Sequence, residues 1–365
     1  MNATALRTRE SIATAEEFDP SWSDRLDDLV VQALRASDID GLLFSNRGFF
    51  PHVMTILSRT LELAFGQGDE SARRQVHGAL FRLYEENFRH GHGGSAVNQF
   101  HPFIMRVRND IERAWERFEC GRIDVALDAV PADEEGFSDF FRHYCAGHRL
   151  TGHPLFDFIE RQATRAEIVR FFAYDSTLVL RFCDLITLAM IGADDEVRGV
   201  LAENFWDEMG NGDFSRRHTF LFKRLLRYVG ADQVPAAAIE TSWQGLAGFN
   251  LYMYLSLHRR NYFMSLGCLG SGELMDASQY AKIVKGCERV GFTDRAGLSY
   301  YIDHAEADVR HGNEWLDKVL VPLAGKHDGA RRDILTGASL RLNATADYYD
   351  FLLEELSGTA GVVRP

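Results

Sequence analysis

SYYIDHAEADVRHGNEWLDKVL, residues 299–320, has the spacing of an α-helix and carries two histidines and an aspartate on one face. His304, Asp308 and His311 stand at positions i, i+4 and i+7 of this stretch. At about 100° per residue their side chains fall within roughly 60° of arc, so they point to one side of the helix. Neutral imidazole and carboxylate on adjacent turns suit a redox metal such as iron or manganese. The alternative is a solvated helix face, whose neighbouring surface charges would be Asp303, Glu306, Arg310 and Glu314.

Length and composition are those of an ordinary globular protein. The chain has 365 residues, of which 46% are hydrophobic and 25% charged, and it is long enough for two domains with substantial cores. The formal charge of -13 argues against a nucleic-acid partner, because a nucleic-acid surface needs clustered lysine and arginine. The five cysteines are scattered without a C-x-x-C pair, and we expect them to be reduced core residues.

The sequence shows neither a membrane span nor a signal peptide. No apolar run approaches the roughly 18 residues that indicate a membrane helix. The N-terminus, Met-Asn-Ala-Thr-Ala-Leu-Arg, lacks the apolar segment of a secretory signal. We therefore expect a cytoplasmic protein with no membrane partner.

The periodicity predicts an all-α protein, since alternating strand patterns are nearly absent. Apolar residues at helical spacing between Trp22 and Phe118 predict an N-terminal helical bundle, which could serve as a dimerisation domain. Residues 130–136, VPADEEG, lack periodicity and predict a boundary, so we place domains at 1–132 and 133–365. The long apolar stretch 236–273 is expected to contain a break, because Gly245, Gly248 and the run 267–272 punctuate it.

Further carboxylate and histidine candidates lie upstream of the helical triad, at Glu208, His218 and Glu273. The turn Gly210-Asn-Gly212 is expected to fold Glu208 back toward His218. Glu273 extends a largely apolar stripe, so its carboxylate must be paired, protonated or exposed. Surface positions are the alternative for all three residues. Together with the triad they make three carboxylates and three histidines, the usual complement for two non-haem irons in a helical bundle.

Three motifs resemble those of the haem-oxygenase-like di-iron oxidase superfamily. In order they are E-N-F-W-D-E-M-G-N-G-D-x4-H-x3-F at 203–222, G-x5-E ending at Glu273, and H-x3-D-x2-H at 304–311. The resemblance spans Phe140 to Leu356 and implies a haem-oxygenase-like helical bundle with the motifs on its core helices. The ligands that it implies for two iron ions are Glu208, His218, Glu273, His304, Asp308 and His311.

The same resemblance implies the chemistry. It implies two Fe(II)/Fe(III) ions, O2 as co-substrate and an external electron donor. The ten-residue interval from Glu208 to His218 and the N-terminal extension are similar to those of N-oxygenases that act on amino-acid-derived amines or guanidines. One alternative is oxidative C–C cleavage, desaturation or decarboxylation of an amino or fatty acid at the same site. The other is a non-catalytic helical protein that binds a metal or cofactor.

Some members of this superfamily add a further carboxylate ligand, and Asp175 or Asp184 is the candidate for it here. A capping or surface role is the alternative for either aspartate. An apolar wall beside the metal is expected from Phe205, Phe263 and Trp315.

Arg341 is a candidate for holding a substrate carboxylate, with Tyr348 or Tyr349 one to two turns later on the same predicted helix. Surface pairing with Asp347 or Glu354 is the alternative. The expected partners are a small-molecule substrate, a second copy of the chain in a homodimer, and a reductase.

Overall fold

The computed structural model describes residues 22–44, 48–89, 96–126, 130–175, 181–234, 242–275 and 277–358. The side chains of residues 277–278 and 305–309 lie outside this description. Within these ranges the regular elements are helices, with seventeen α-helices and no β-strand. The all-α prediction is therefore confirmed.

The first of two compact units ends at Ile111. Its core is formed by side chains such as Leu29, Val53 and Leu80, which are fully buried or nearly so. Asp69 begins one of its helices by accepting a hydrogen bond from the backbone N–H of Ala72. The helices of this unit are α1 (Leu26–Arg35), α2 (Ile39–Phe44), α3 (Phe49–Leu61), α4 (Glu70–Glu85) and the first half of α5 (Pro102–Cys120).

The second compact unit begins at Glu112 and contains all the predicted ligands. Its further helices are α6 (Glu134–Gly147), α7 (Pro154–Arg161), α8 (Arg165–Tyr174), α9 (Phe182–Met190), α10 (Asp195–Glu208), α11 (His218–Val229), α12 (Trp243–Leu257), α13 (Tyr262–Met275), α14 (Ala277–Arg289), α15 (Ser299–Trp315), α16 (Val321–Lys326) and α17 (Ala330–Gly358). A π-helical turn, Leu316–Leu320, joins α15 to α16. The assignment of 1–132 as a dimerisation domain stays a prediction.

Local signals in the sequence set several helix ends. Thr164 accepts a hydrogen bond from the backbone N–H of Glu167, and the Glu167 carboxylate accepts one from the N–H of Thr164, which makes a capping box at the start of α8. Helix α11 ends at Val229 and is followed by Gly230, whose φ of 81° is readily adopted by glycine. At the other end of α11, a 3-10 turn, Phe214–Arg216, separates its first residue, His218, from the glycine turn.

Helix α13 lies at the centre of the second unit and packs against α17, α15 and α12. Its closest approach is to α17, where a Cβ on Gly267 would overlap the carbonyl oxygen of Ile334. On the opposite side of the same crossing, a Cβ on Gly337 would overlap the carbonyl oxygen of Met264. The two backbones are therefore in direct contact, and only glycine fits at either position.

The break predicted in the stretch 236–273 exists, but not at the glycines. Helix α12 ends at Leu257, His258 is extended, and α13 begins at Tyr262 after a short 3-10 turn. Gly245, Gly248 and the run 267–272 lie inside helices. Close packing, which a single sequence does not reveal, explains the glycine run better than a turn does.

Helices α12 and α13 are buried on almost every side, as their mainly apolar sequences require. Among the helices of the described ranges, none combines the length and apolar character that crossing a membrane demands.

The helix crossing gives a stability prediction. Replacement of Gly337 by alanine should lower the free energy of unfolding by about 1–3 kcal/mol or more, because the new methyl group forces the α13 and α17 backbones apart. Gly199→Ala is the matched control, since Gly199 is inside α10 and nothing lies within 4 Å of its added Cβ. There the change should stabilise by about 0.5–1 kcal/mol. Denaturant unfolding of the three proteins measures both effects, and equal stability of Gly337→Ala and the parent would contradict the crossing.

Candidate metal centre

Glu208, His218 and His304 form a compact cluster of potential metal ligands. One carboxylate oxygen and one ring nitrogen from each histidine all lie within 4.8 Å of one another. Glu208 is the last residue of α10, His218 the first of α11, and His304 lies in the first half of α15. Three helices thus bring the two neighbouring ligands Glu208 and His218 together with His304, which lies far from both in the sequence.

The glycine turn between α10 and α11 brings Glu208 and His218 together. The Oε1 atom of Glu208 lies 2.8 Å from Nδ1 of His218. A Cβ on Gly210 would lie 2.7 Å from the backbone of Arg216 and Arg217, so glycine is required for the chain to reverse so tightly. Asn211 follows with a φ of 53°, a left-handed conformation that asparagine tolerates better than most residues. The expected folding back of Glu208 toward His218 is what the structure shows.

The ring of His304 is oriented by the backbone of its own helix. Its Nδ1 lies 2.6 Å from the carbonyl oxygen of Tyr300. Because a carbonyl only accepts, the proton is on Nδ1, and Nε2 carries the lone pair. Burial, assisted by the nearby His218, lowers the pKa of His304 to about 3. The imidazole is therefore neutral at physiological pH, the form that binds a metal.

Glu208 is buried, yet it is held as a carboxylate. Burial acts to raise its pKa, but the hydrogen bond from His218 and the other nearby imidazoles outweigh burial and lower it below the usual value. The Cys183 thiol donates to the other carboxylate oxygen, Oε2, at 3.8 Å. Burial and the charge of Glu208 raise the pKa of Cys183 to about 12, so the cysteine is a neutral donor.

Glu273 and His311 form a second pair of predicted ligands. Oε2 of Glu273 lies 3.7 Å from Nδ1 of His311, and both side chains are about 5% exposed. The approach depends on Gly312, because a Cβ there would lie 2.7 Å from the backbone of Glu273 and Leu274. Asp308 belongs to the same helix face by sequence, and its side chain lies outside the described residues.

A cavity of about 190 Å³ opens beside these residues. Glu208, His218, Glu273 and His304 all line it. The remaining wall is largely aromatic, with the side chains of Phe156, Phe171, Phe182, Phe249, Tyr252, Tyr280, Tyr300, Tyr301, Tyr348 and Tyr349. The donor groups therefore face a mostly apolar cavity that can hold a small molecule.

The residues predicted from the sequence to form the apolar wall are wrong. Phe205, Phe263 and Trp315 are not among the described side chains that line the cavity. Trp315 is instead 1% exposed beneath Gly270, and Phe263 packs against the ring of His327. Helical spacing placed these residues on plausible faces but could not show which face meets the cavity.

The two candidates for an additional carboxylate ligand lie in different surroundings. Asp175 lines the cavity, and its Oδ2 accepts a hydrogen bond of 3.4 Å from the Tyr301 hydroxyl. Asp184 is paired with Arg181 at 3.5 Å, and its side chain is 45% exposed. Asp175 is thus the better placed of the two.

Arg341 lies in the interior and not on the surface. Only 3% of it is exposed, and it lines the cavity. Its Nε donates to the Tyr252 hydroxyl at 3.3 Å. Tyr348 and Tyr349 line the same cavity. Surface pairing, the alternative considered from the sequence, is excluded for this arginine.

Comparison with known proteins supports the prediction of a metal site in this region. Residues 169–346 match the family of iron-containing redox enzymes. This stretch contains all six predicted ligands, and the resemblance seen in the three motifs is confirmed. The family implies iron as the metal and oxidation–reduction as the chemistry.

A shorter match is to the nitrosourea synthase of Streptomyces achromogenes subsp. streptozoticus. The two chains are 27% identical over 143 residues, which is 36% of this chain. The match covers 28% of the length of the synthase.

The residues present fit iron. Glu208, Glu273, His304 and His311 are each less than 10% exposed, with 6%, 7%, 7% and 4% of their surface accessible. A bound cation would offset the cost of placing two carboxylates in the interior. Mixed imidazole and carboxylate donors are the usual iron ligands in helical bundles. The individual ligand roles and the number of ions stay predictions.

Sequence reasoning missed two residues at this centre. Cys183 was expected in the core, but it is half-buried beside Glu208, and Cys120 is exposed. Asp207 received no role, although its Oδ2 lies 2.8 Å from Nε2 of His311. The only sign in the sequence that Asp207 belongs to this centre is its position next to Glu208.

The cluster predicts how iron binding responds to loss of one histidine. His304→Ala should lower the iron content by at least half relative to the parent, because a ring nitrogen of His304 is one of the three clustered donor atoms. His143→Ala is the control, since His143 is exposed and binds the carbonyl oxygen of Asp139 at 2.7 Å. Elemental analysis after anaerobic Fe(II) loading measures the content, and circular dichroism checks the fold. An unchanged iron content in His304→Ala would exclude this histidine as a ligand.

Proposed function

We propose that this protein is a non-haem di-iron oxygenase that uses O2 to oxygenate a nitrogen atom of a small amino-acid-derived amine or guanidine. The observation that carries the proposal is the convergence of Glu208, His218 and His304 on a cavity with largely aromatic walls, with Glu273 and His311 adjacent. The match to the family of iron-containing redox enzymes is the reason for proposing iron as the metal. The similarity to a nitrosourea synthase favours nitrogen over carbon as the oxidised atom.

The reaction balances with an external source of electrons. Bound iron would supply the reductive activation of O2. An N–H bond becomes N–OH, one oxygen atom of O2 enters the product, and the other leaves as water. Two electrons and two protons are consumed besides the substrate and O2. A reductase or a small-molecule reductant has to provide the electrons.

The side chains of the site prepare it for this chemistry. Neutral His304 and ionised Glu208 present a nitrogen and an oxygen donor without first releasing a proton. The aromatic walls limit access of water to the reacting atoms. Burial raises the pKa of Tyr301 well above its usual value, and nearby Asp175 adds to the effect, so this phenol stays protonated and donates to Asp175.

Arg341 gives the cavity a fixed positive charge. Guanidinium stays protonated when buried and matches the geometry of a carboxylate. We assign it the binding of a substrate carboxylate, with its Nε donating a hydrogen bond to the Tyr252 hydroxyl. The substrate class is therefore a carboxylate-bearing amine or guanidine. The formation of a homodimer and the cytoplasmic location, both expected from the sequence, are also part of the proposal.

Oxygenation is tested with isotopes. The protein, loaded anaerobically with Fe(II), is mixed with a chemical reductant, 18O2, and in separate reactions L-lysine, L-arginine and dodecanoate. Mass spectrometry should find one 18O atom on a nitrogen of an amino acid. The His304→Ala protein should form no such product. Fragmentation or desaturation without N–O formation would overturn N-oxygenation and favour carbon chemistry, while no O2 consumption with any compound would overturn the enzyme proposal.

The arginine assignment has its own test. Arg341→Gln should raise KM for the oxygenated amino acid by about 10- to 100-fold, because a charge-assisted hydrogen-bond pair is lost. The effect on kcat should be smaller, since Arg341 does not belong to the ligand cluster.

The control for that test is the methyl ester of the same amino acid. It has no carboxylate, so the parent and Arg341→Gln should process it with similar KM. Equal losses for acid and ester would mean that the substitution damages the cavity in general, and the assignment would be wrong. Iron content is measured in parallel to exclude loss of metal.

A further inference from the structure

Asp207 and Glu208, the last two residues of α10, reach different histidines of α15. Glu208 belongs to the cluster with His218 and His304. Asp207 instead contacts His311, seven residues further along the same helix, with its Oδ2 at 2.8 Å from Nε2. One helix end is thus tied to α15 at two points that are about two turns apart.

The contact bears on which nitrogen of His311 carries the proton. A carboxylate oxygen only accepts hydrogen bonds, so the 2.8 Å contact with Asp207 needs a proton on Nε2. Arg310 Nη2 donates to the same oxygen at 2.6 Å and also lies 3.1 Å from Nε2, to which it could donate only if Nε2 carried the lone pair. Asp207 and Arg310 therefore favour opposite tautomers of the ring. In the tautomer that Asp207 favours, the lone pair of the neutral ring is on Nδ1, the atom that lies 3.7 Å from Glu273.

Asp207 is itself held in place from several sides. The side chain of Asn211 also hydrogen bonds to it, from the turn in which that residue adopts a φ of 53°. The Asp207 carboxylate is also paired with Arg310, whose Nη2 lies 2.6 Å from Oδ2. Only 21% of its side chain is exposed. A left-handed asparagine is uncommon, and here it aims an amide at a carboxylate.

We propose that Asp207 is a positioning residue, which holds His311 in the tautomer and orientation that present Nδ1 to an iron ion beside Glu273. The inference rests on the proposed iron site, but it concerns metal binding and not the reaction. Histidine ligands commonly donate their second ring N–H to a carboxylate, which orients the ring and makes the ligand more basic. Asp207 would do this for His311 as the carbonyl of Tyr300 does for His304.

Two other roles for Asp207 predict different behaviour. A purely structural ion pair with Arg310 would affect stability but not the affinity for iron. If Asp207 were a direct ligand, its removal would have the same effect on iron binding as the removal of His311.

The experiment compares Fe(II) affinity, by anaerobic titration against a chelator, in four full-length variants. Asp207→Ala should bind the weaker of two irons about 10- to 100-fold less tightly than the parent. Asp207→Asn keeps an acceptor for Nε2–H and should recover much of the affinity. Glu203→Ala is the matched control, because Glu203 is an exposed acid on the same helix, and it should bind as the parent does. His311→Ala sets the scale for loss of a ligand.

A second measurement determines the tautomer in the parent protein itself. The ring 15N shifts of metal-free protein, with the His311 signals identified by their absence in His311→Ala, should show a protonated Nε2 and an unprotonated Nδ1. The opposite tautomer in the parent would overturn the proposal.

The titration has two contrary outcomes as well. Equal iron affinity in Asp207→Ala and Glu203→Ala would mean that the only role of Asp207 is its structural ion pair with Arg310. Loss of iron in both Asp207 variants as complete as in His311→Ala would make Asp207 a ligand. Failure of the proposed function is separate, since it would appear as a parent protein that binds iron and responds to Asp207→Ala but forms no N–O product.

Discussion

The backbone contact between α13 and α17 is the constraint on which the rest of the second unit depends. Gly267 faces the carbonyl of Ile334, and Gly337 faces that of Met264. Without side chains between them, the helices fix each other's rotation as well as their separation. Gly312 extends the same principle to α15, which approaches the backbone of Glu273 and Leu274. Three helices that carry Glu273, Arg341 and the two histidines of α15 are therefore locked by contacts that involve no functional side chain.

The donors from α10 and α11 are positioned by other means. Glu208 and His218 flank a glycine turn, and their placement relies on hydrogen bonds among polar groups, including Asp207 with Arg310 and Asn211. Hydrogen-bonded turns yield more easily than backbone packed against backbone. The centre thus combines a half that is fixed by packing with a half whose geometry follows from charge and hydrogen bonding.

Sequence patterns could predict what depends on local geometry. The shared face of His304 and His311 follows from helical spacing, and the return of Glu208 to His218 follows from Gly210 and Gly212. The position of the break at His258 did not follow, because the glycines near it serve packing between distant segments. The residues of the cavity wall were predicted wrongly for the same reason. No signal in a single sequence tells whether the side chain of Trp315 faces the cavity or a neighbouring helix. Asp207 needed coordinates, because its partner is 104 residues away.

The packing of α13 also orders events in time. Met264 and Gly267 cannot settle until Ile334 and Gly337 have been made, and these pairs are separated by some 70 residues of chain. All six predicted ligands precede Ile334, so each leaves the ribosome before the helix that fixes their framework is complete. A nascent chain would therefore present carboxylates and imidazoles without a shaped site. The shaped site therefore exists only after α17 has been synthesised and has packed against α13.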